Sequence, residues 1–339
     1  MLIDWVTARV PLEDLTDEAR ECVRQIGDRI TCYCPKTGEA KWTTFAWDSI
    51  RSDSHQIAVR VGTDLWIQGS PARVIGEGDT VFGAGATAAL DLRGCVERMA
   101  SFVAGRLGVK LPRWDRWLVT RVDVTGNLEL GSLEEVHQAL TILRDCEGGR
   151  YRVSQQQGDT VYWSQRSRLK AGKAYAKGPH LEHLKKVKTY SGRGYTPQDI
   201  EAANRLLRLE LRLGREYWSR HDWKRADAEQ LRNEWADYFG RMIGGAEMTT
   251  DSDVKARVMA AASTEGRGRA AYGCWLLIQA EGWERARSSY AKSTWYDHLK
   301  VLHRAGLGDA DISAGRVVPL RRRVMEARLV TSWDQLKAA

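Results

Sequence analysis

Hydrophobic and polar positions alternate most regularly in "RLLRLELRLGRE", residues 205–216. Leu207, Leu209, Leu211 and Leu213 fall on one side of an extended chain, and Arg208, Glu210 and Arg212 on the other. A period of two predicts a strand with one buried face, because a helix would scatter those leucines around its circumference. "HQIAVRVGTDLWIQG" (55–69) predicts a hairpin turning near Gly62-Thr63-Asp64. "WLVTRVDVTGNLELG" (117–131) predicts a strand running into a turn at Gly126-Asn127. "RYRVSQQQGDTVYWSQ" (150–165) predicts a second hairpin, turning near Gly158-Asp159, and "KAYAK" (173–177) a further strand. Helical spacing appears in "ATAALDLRGCVERMASFVAGRLG" (86–108), which ends at glycine, and in the basic stretch "HLEHLKKVKTY" (180–190). "SLEEVHQALTILRDC" (132–146) predicts a helix with Ser132 as N-cap and Glu135 three residues on, a capping box. Together these elements predict an α+β unit: a mostly antiparallel sheet with helices on one face and charged residues on the open face.

After about residue 222 the pattern becomes helical, so two units are expected, 1–222 and 223–339. "GGAEMTTDSD" (244–253) reads as a linker. Further on, a short helix, a turn and a second helix, with Ser293 as N-cap and Gly306 at its end, have helix-turn-helix spacing. The second helix would carry Lys300, His303 and Arg304, and "RVVPLRRR" (316–323) would be a wing strand or a basic tail.

Composition narrows the class. The chain has 339 residues, 43% of them hydrophobic and 28% charged, which fits a soluble globular protein long enough for two cores. No run of about 18 apolar residues occurs, and no membrane span is expected. "MLIDWVTARVPLEDLTDEAR" carries acids early and has no basic stretch before an apolar run, so residence in the cytoplasm is the expectation. Six scattered cysteines fit reduced thiols, with Cys32-x-Cys34 in a hairpin turn. The net charge is +8, but residues 150–225 hold 18 Lys and Arg against 7 Asp and Glu. Such a basic block suits a phosphate-rich partner or a solvated face. The chain also has 14 Trp, and Trp114, Trp117, Trp163, Trp218 and Trp223 lie near that block. Aromatics beside cations suit single-stranded nucleic acid, although most Trp are expected in the core.

Three strands supply candidate chemistry. The outward sets would be Arg121, Asp123 and Thr125; Arg208, Glu210 and Arg212; and Lys173, Tyr175 and Lys177. Asp123 and Glu210 are candidate ligands for Mg²⁺ or Mn²⁺, which prefer oxygen. Tyr175 between two lysines could be a nucleophile, since nearby cations favour its phenolate. Each residue has a structural alternative: a salt-bridged strand face for Arg208, Glu210 and Arg212, a turn cap for Asp123, a packed ring for Tyr175. His180 and His183 have helical spacing without a third ligand and read as surface residues.

In order along the chain, several segments resemble the gene II and gene X replication initiators of filamentous bacteriophages. They are "IQGSPARVIGEGDTVFG" (67–83), "LVTRVDVTGN" (118–127), "DTVYWSQRSRLKAGKAYAKGPHLE" (159–182), "LLRLELRL" (206–213) and "TWYDHLKVLHRAGLGDADI" (294–312). Rolling-circle plasmid initiators are more distantly similar. The resemblance implies a nickase that cuts one origin strand through a covalent 5′-phosphotyrosine and later rejoins it. Host helicase and DNA polymerase are implied partners. By position, Tyr175 would be the nucleophile, Lys177 would assist the phosphate, and Asp123 and Glu210 would hold Mg²⁺ or Mn²⁺. Arg121, Lys173, Arg208, Arg212, Ser70 and Arg73 would contact DNA, with Lys300 and Arg304 of a C-terminal origin-recognition unit. Relatives often carry His-Asn where this chain has Asp79-Thr80, so Asp79 could replace a histidine ligand. Tyr190 or Tyr195 could serve a second transfer. A non-catalytic DNA-binding regulator is the competing expectation.

Overall fold

The computed structural model describes residues 1–51, 56–75, 78–83, 90–144, 153–154, 159–187, 193–243, 251–308, 312 and 327–337. Its centre is an antiparallel sheet in the order β4-β5-β6-β1-β7-β11-β10-β9-β8. The middle strands are β1 (Leu2–Pro11), β7 (Leu118–Glu129), β11 (Leu206–Leu213) and β10 (Lys170–Ala176). On one flank lie β6 (Asp64–Gly69), β5 (Gln56–Val61) and β4 (Asp48–Arg51), and on the other β9 (Thr160–Trp163) and β8 (Val153–Ser154). β2 (Arg29–Tyr33) and β3 (Ala40–Phe45) form a separate two-stranded ribbon; Cys34 lies in its turn as expected, whereas Cys32 lies on β2, paired with Trp42. A last short strand, β12 (Arg328–Val330), pairs with β7 beyond the start of β1.

The alternation read at 205–216 is the alternation observed. Leu207, Leu209, Leu211 and Leu213 are buried in one large core with Val122 and Val124 of β7 and Val6 and Ala8 of β1. That face is covered by α3 (Leu92–Leu107), α4 (Leu133–Arg144) and α8 (Ala228–Ile243). Asp91 caps α3 by accepting from the Gly94 N–H, and Gly108 closes the helix at φ 70°, the left-handed conformation glycine tolerates. Ser132 accepts from the Glu135 N–H at the start of α4. Helix α8 lies past residue 222 and shares the core of the sheet.

The turn expected at Gly126-Asn127 is not formed, and β7 runs straight through both residues. Gly126 is there because Trp235 of α8 crosses it: a Cβ would sit 2.8 Å from the indole Cζ2. Asn127 is buried, and its Nδ2 donates to the Val81 carbonyl at 2.9 Å. The other face is not wholly open either. At one end α5 (Lys177–Lys186), α6 (Pro197–Ala203) and a final helix cover Leu206 and Val330 with a smaller core that includes Phe82, Tyr195 and Leu336.

Helices over Asp251–Ala261, Glu265–Glu281, Trp283–Ser288 and Lys292–Arg304 build a third core around Trp275, Trp295 and Leu302. The last pair is a short helix, a turn and a longer helix, but the second helix is preceded by Ala291 as N-cap, and Ser293 lies inside it. Ala291 has the extended backbone an N-cap needs, and no side chain caps this helix. Residues 316–323, the expected wing, lie outside the described residues, as do 244–250 of the expected linker and Gly158 of the second hairpin turn. Among the described residues no helix is long and apolar enough to cross a membrane.

Candidate functional site

Strand register fixes the candidate site. Lys173 pairs with Glu210 and Tyr175 with Arg208 across β10 and β11. Glu210 then faces Thr125, and Arg212 faces Asp123, across β11 and β7. Directly paired residues share a face in an antiparallel sheet, so of the side chains expected from the three candidate strands all but one share a face. The exception is Lys177. Strand β10 stops at Ala176 and Lys177 opens α5, because Pro179 has no N–H for a ladder but fits a first helical turn. Gly178 permits the turn, since a Cβ there would meet Asn204 Oδ1 at 1.9 Å. The lysine still reaches back, with Nζ 5.6 Å from the Tyr175 ring centroid.

Tyr175 is 4% exposed and its hydroxyl donates to Glu210 Oε1 at 2.7 Å. Lys173 Nζ lies 4.0 Å from the tyrosine ring centroid and 3.6 Å from Glu210 Oε2. Arg208, fully buried, runs beneath both: Nε is 3.4 Å from Glu210 Oε1, Nη2 is 3.1 Å from Asp4 Oδ1, and Nη1 donates to the Thr80 carbonyl. The Nε and Nη2 contacts are ion pairs without hydrogen-bond alignment, so two donors of a buried guanidinium await an acceptor among the described residues. Burial holds the Tyr175 phenol well above its usual range, with Glu210 and Asp4 adding to the rise and Arg208 opposing it. The Lys177 ammonium is pulled well below its usual range by burial and then by Arg208. For Arg208, burial acts downward, but Asp4, Tyr175 and Glu210 outweigh it and raise the pKa.

Two participants escaped the sequence reading. Asp4 is the extra residue at a register shift of β1, between Ile3 and Trp5, and this turns its carboxylate toward Arg208. Burial opposes its ionisation, but Arg208 and then Lys177 and Lys173 bring the pKa below the usual value. His180, expected on the surface, packs edge-on against Tyr175 at 5.2 Å between centroids and lies 3.3 Å from Lys177 Nζ. Burial and the neighbouring Lys177 lower its pKa to about 3, so the ring is neutral. His183 is exposed, as expected.

Asp123 does not cap a turn. Arg121 Nε donates to Asp123 Oδ1 at 2.8 Å and Nη2 to Oδ2, a two-pronged pair. Burial raises the Asp123 pKa, and Arg121 works against that rise. Arg212 donates to the Ser167 carbonyl at 3.1 Å and to that of Gln165. Every carboxylate on this face therefore already meets a protein cation, and no group of three His, Cys, Asp or Glu suited to a metal occurs among the described residues. Asp123 and Glu210 as arranged do not fit a divalent-cation site. Asp79 does not join them. Its Oδ1 accepts from the Tyr195 hydroxyl at 3.0 Å and its Oδ2 from the Trp333 indole at 2.9 Å. Tyr195 is thus held in a hydrogen-bond network, and Tyr190 lies outside the described residues.

Ser70 is buried at the end of β6, and Arg73 sits in a short helix, Ala72–Ile75, its side chain outside the described residues. Lys300 and Arg304 are exposed on the helix Lys292–Arg304, in the third core and not on the face of Tyr175.

A tyrosine hydroxyl hydrogen-bonded to a carboxylate, with the buried Arg208 and Lys177 and the half-buried Lys173 around it on an antiparallel sheet, is an arrangement that can hold an anion beside that hydroxyl. Residues 2–236 match the family model described as replication-associated protein G2p, N-terminal, and the chain belongs to that family. No curated protein matches the sequence. A solved rolling-circle replication initiator protein from Geobacillus stearothermophilus is similar over 63% of this chain and 75% of its own, at 11% identity and a TM-score of 0.26. That score is too low to bear on fold or function.

Proposed function

We propose that this chain is a rolling-circle replication initiator that nicks one strand of its origin and becomes joined to the 5′ phosphate through Tyr175. The observation that carries this reading is the 2.7 Å hydrogen bond from the Tyr175 hydroxyl to Glu210 beside Arg208 and Lys173. A phenol whose pKa is raised needs a base at hand, and Glu210 is within proton-transfer distance. As Tyr175 Oη bonds to phosphorus, its proton passes to Glu210. The bond from phosphorus to the 3′ oxygen breaks, and that oxygen takes a proton from water. Arg208, with its two unaligned donors, and Lys173 and Lys177 would face the charge developing on the phosphoryl oxygens. Rejoining is the reverse attack by a 3′-OH on the phosphotyrosine. The free 3′-OH would prime a host polymerase, with a host helicase opening the duplex, in the cytoplasm of a bacterial host.

The test uses a single-stranded oligonucleotide from the matching origin, labelled 3′ of the nick, with Mg²⁺, Mn²⁺ or EDTA. Wild type is expected to give a labelled protein–DNA band on a denaturing gel, and Tyr175→Phe none, with origin binding retained. Tight origin binding without any covalent band from wild type would sink the reading and leave a DNA-binding regulator.

A further inference from the structure

The open face continues beyond Tyr175 toward the far edge of the sheet. Register carries it from Asp123 to Trp5, from Arg121 to Thr7, from Arg9 to Trp66 and from Trp66 to Arg60, across β7, β1, β6 and β5. Along this path rings and cations alternate. The Arg121 guanidinium carbon is 5.5 Å from the Trp5 ring centroid, and that of Arg9 is 5.4 Å from Trp66. Arg60 lies between two indoles, 4.9 Å from Trp66 and 4.7 Å from Trp47. Trp47 is 37% exposed, and Trp5, Trp66, Arg9 and Arg60 are half-buried.

We propose that this row of Trp5, Arg9, Arg60, Trp66 and Trp47 is a platform for single-stranded DNA, continuous with the tyrosine site and leading away from it toward β4. A contiguous row of large aromatics reaching the surface marks an interaction site, whereas scattered single ones would not. The cations facing them point to the ligand: base-sized π faces alternating with guanidinium groups match the two repeating parts of an unpaired strand, stacked bases and phosphates. From β10 to β5 the path crosses five strand spacings, roughly 24 Å at about 4.8 Å each. A duplex offers no exposed base faces to such rings, so the platform selects unpaired DNA. Arg9 also pairs with Asp64 at 2.7 Å, which orients it along the row. The proposal rests on the functional reading above only in taking DNA as the ligand.

Binding is measured apart from cleavage, with Tyr175→Phe protein and unmodified oligothymidylates of about 4 and 12 residues. The longer strand is expected to quench tryptophan fluorescence and to bind more tightly than the shorter one, more weakly as salt rises. Trp66→Ala and Arg60→Ala should each weaken the longer strand ~5- to 150-fold, the range of one lost base stack, and Trp66→Phe should recover most of the loss. Equal affinity of these folded variants and wild type, or tighter binding of a duplex of the same length, would overturn the platform. Should either alanine variant not fold, 5-iododeoxyuridine crosslinking to the otherwise unchanged protein decides it. Adducts at Trp5, Trp47 or Trp66 support the proposal, and adducts confined to other residues refute it. A platform that binds DNA in a protein that never forms the tyrosine adduct would separate the two readings.

Discussion

A fully buried guanidinium is costly to desolvate and persists only where anions and carbonyls face it. Arg208 meets Asp4, Glu210 and the carbonyls of Thr80 and Val81, four groups from three separate parts of the chain. Removing it takes the buried partner from two half-buried carboxylates, Asp4 and Glu210, so Arg208→Met should destabilise the protein by about 3 kcal/mol, read from urea unfolding. Arg208→Lys keeps the charge but loses the planar fork, and should retain part of the stability with far less nicking. His180 gives the site a pH signature. The unfolded chain binds the proton near 6.5, but the folded protein only near 3, so between these values the unfolded state holds more protons. Stability therefore falls as pH drops from 6.5 toward 3, and the lowered Asp4 pKa acts in the same sense. His180→Asn should make the fall of the melting temperature with acidity shallower, and an unchanged slope would mean that other groups set it.

Among the elements, β7 shows how a strand can be disguised. Gly126 and Asn127 read as a turn because glycine and asparagine are turn formers, yet here one makes room for Trp235 and the other binds the Val81 carbonyl. Gly126→Ala would force its Cβ to within 2.8 Å of the indole and 3.0 Å of Leu329 Cδ2, and should cost about 1–3 kcal/mol. Trp235→Phe in the same chain should return part of it, measured as paired melting curves. The leucine face of β11 was legible because nothing interrupts its period of two. β1 was not, although it sits at the centre of the sheet: its register shift at Asp4 breaks the alternation. That hid Asp4, which no motif marks. Lys177 was placed on a strand because Lys-x-Tyr-x-Lys alternates, whereas Pro179 two residues later decides for a helix. Tyr175, Glu210 and Arg208 were legible, since a strand's outward set depends only on local alternation. Their engagement with one another was not, because it depends on which strands pair.

At the scale of the whole molecule, the chain closes on itself near the site. After the third core, β12 returns to pair with β7, and α13 (Trp333–Lys337) covers Phe82 and Tyr195. Three-residue pairing over such a sequence separation leaves no periodic trace, which is why the stretch after 222 read as a single helical unit. The Trp333 indole donates to Asp79 Oδ2, and Asp79 Oδ1 accepts from the Val81 N–H at 2.8 Å. The carbonyls of Thr80 and Val81 in turn accept from Arg208. The C-terminal helix thus bears on the surroundings of Tyr175 through one short loop. Trp333→Ala should destabilise the protein by about 1–3 kcal/mol, since the ring is half-buried and packs against the smaller core. It should also speed hydrogen exchange at the Val81 amide and lower the nicking rate more than it weakens DNA binding. Trp333→Phe keeps the ring against Phe82, 5.2 Å between centroids in the wild type, and loses only the hydrogen bond. Its expected cost is about 1 kcal/mol, with the exchange effect retained. If Trp333→Ala melts early yet leaves Val81 exchange and nicking unchanged, the C-terminal segment braces the fold without reaching Arg208.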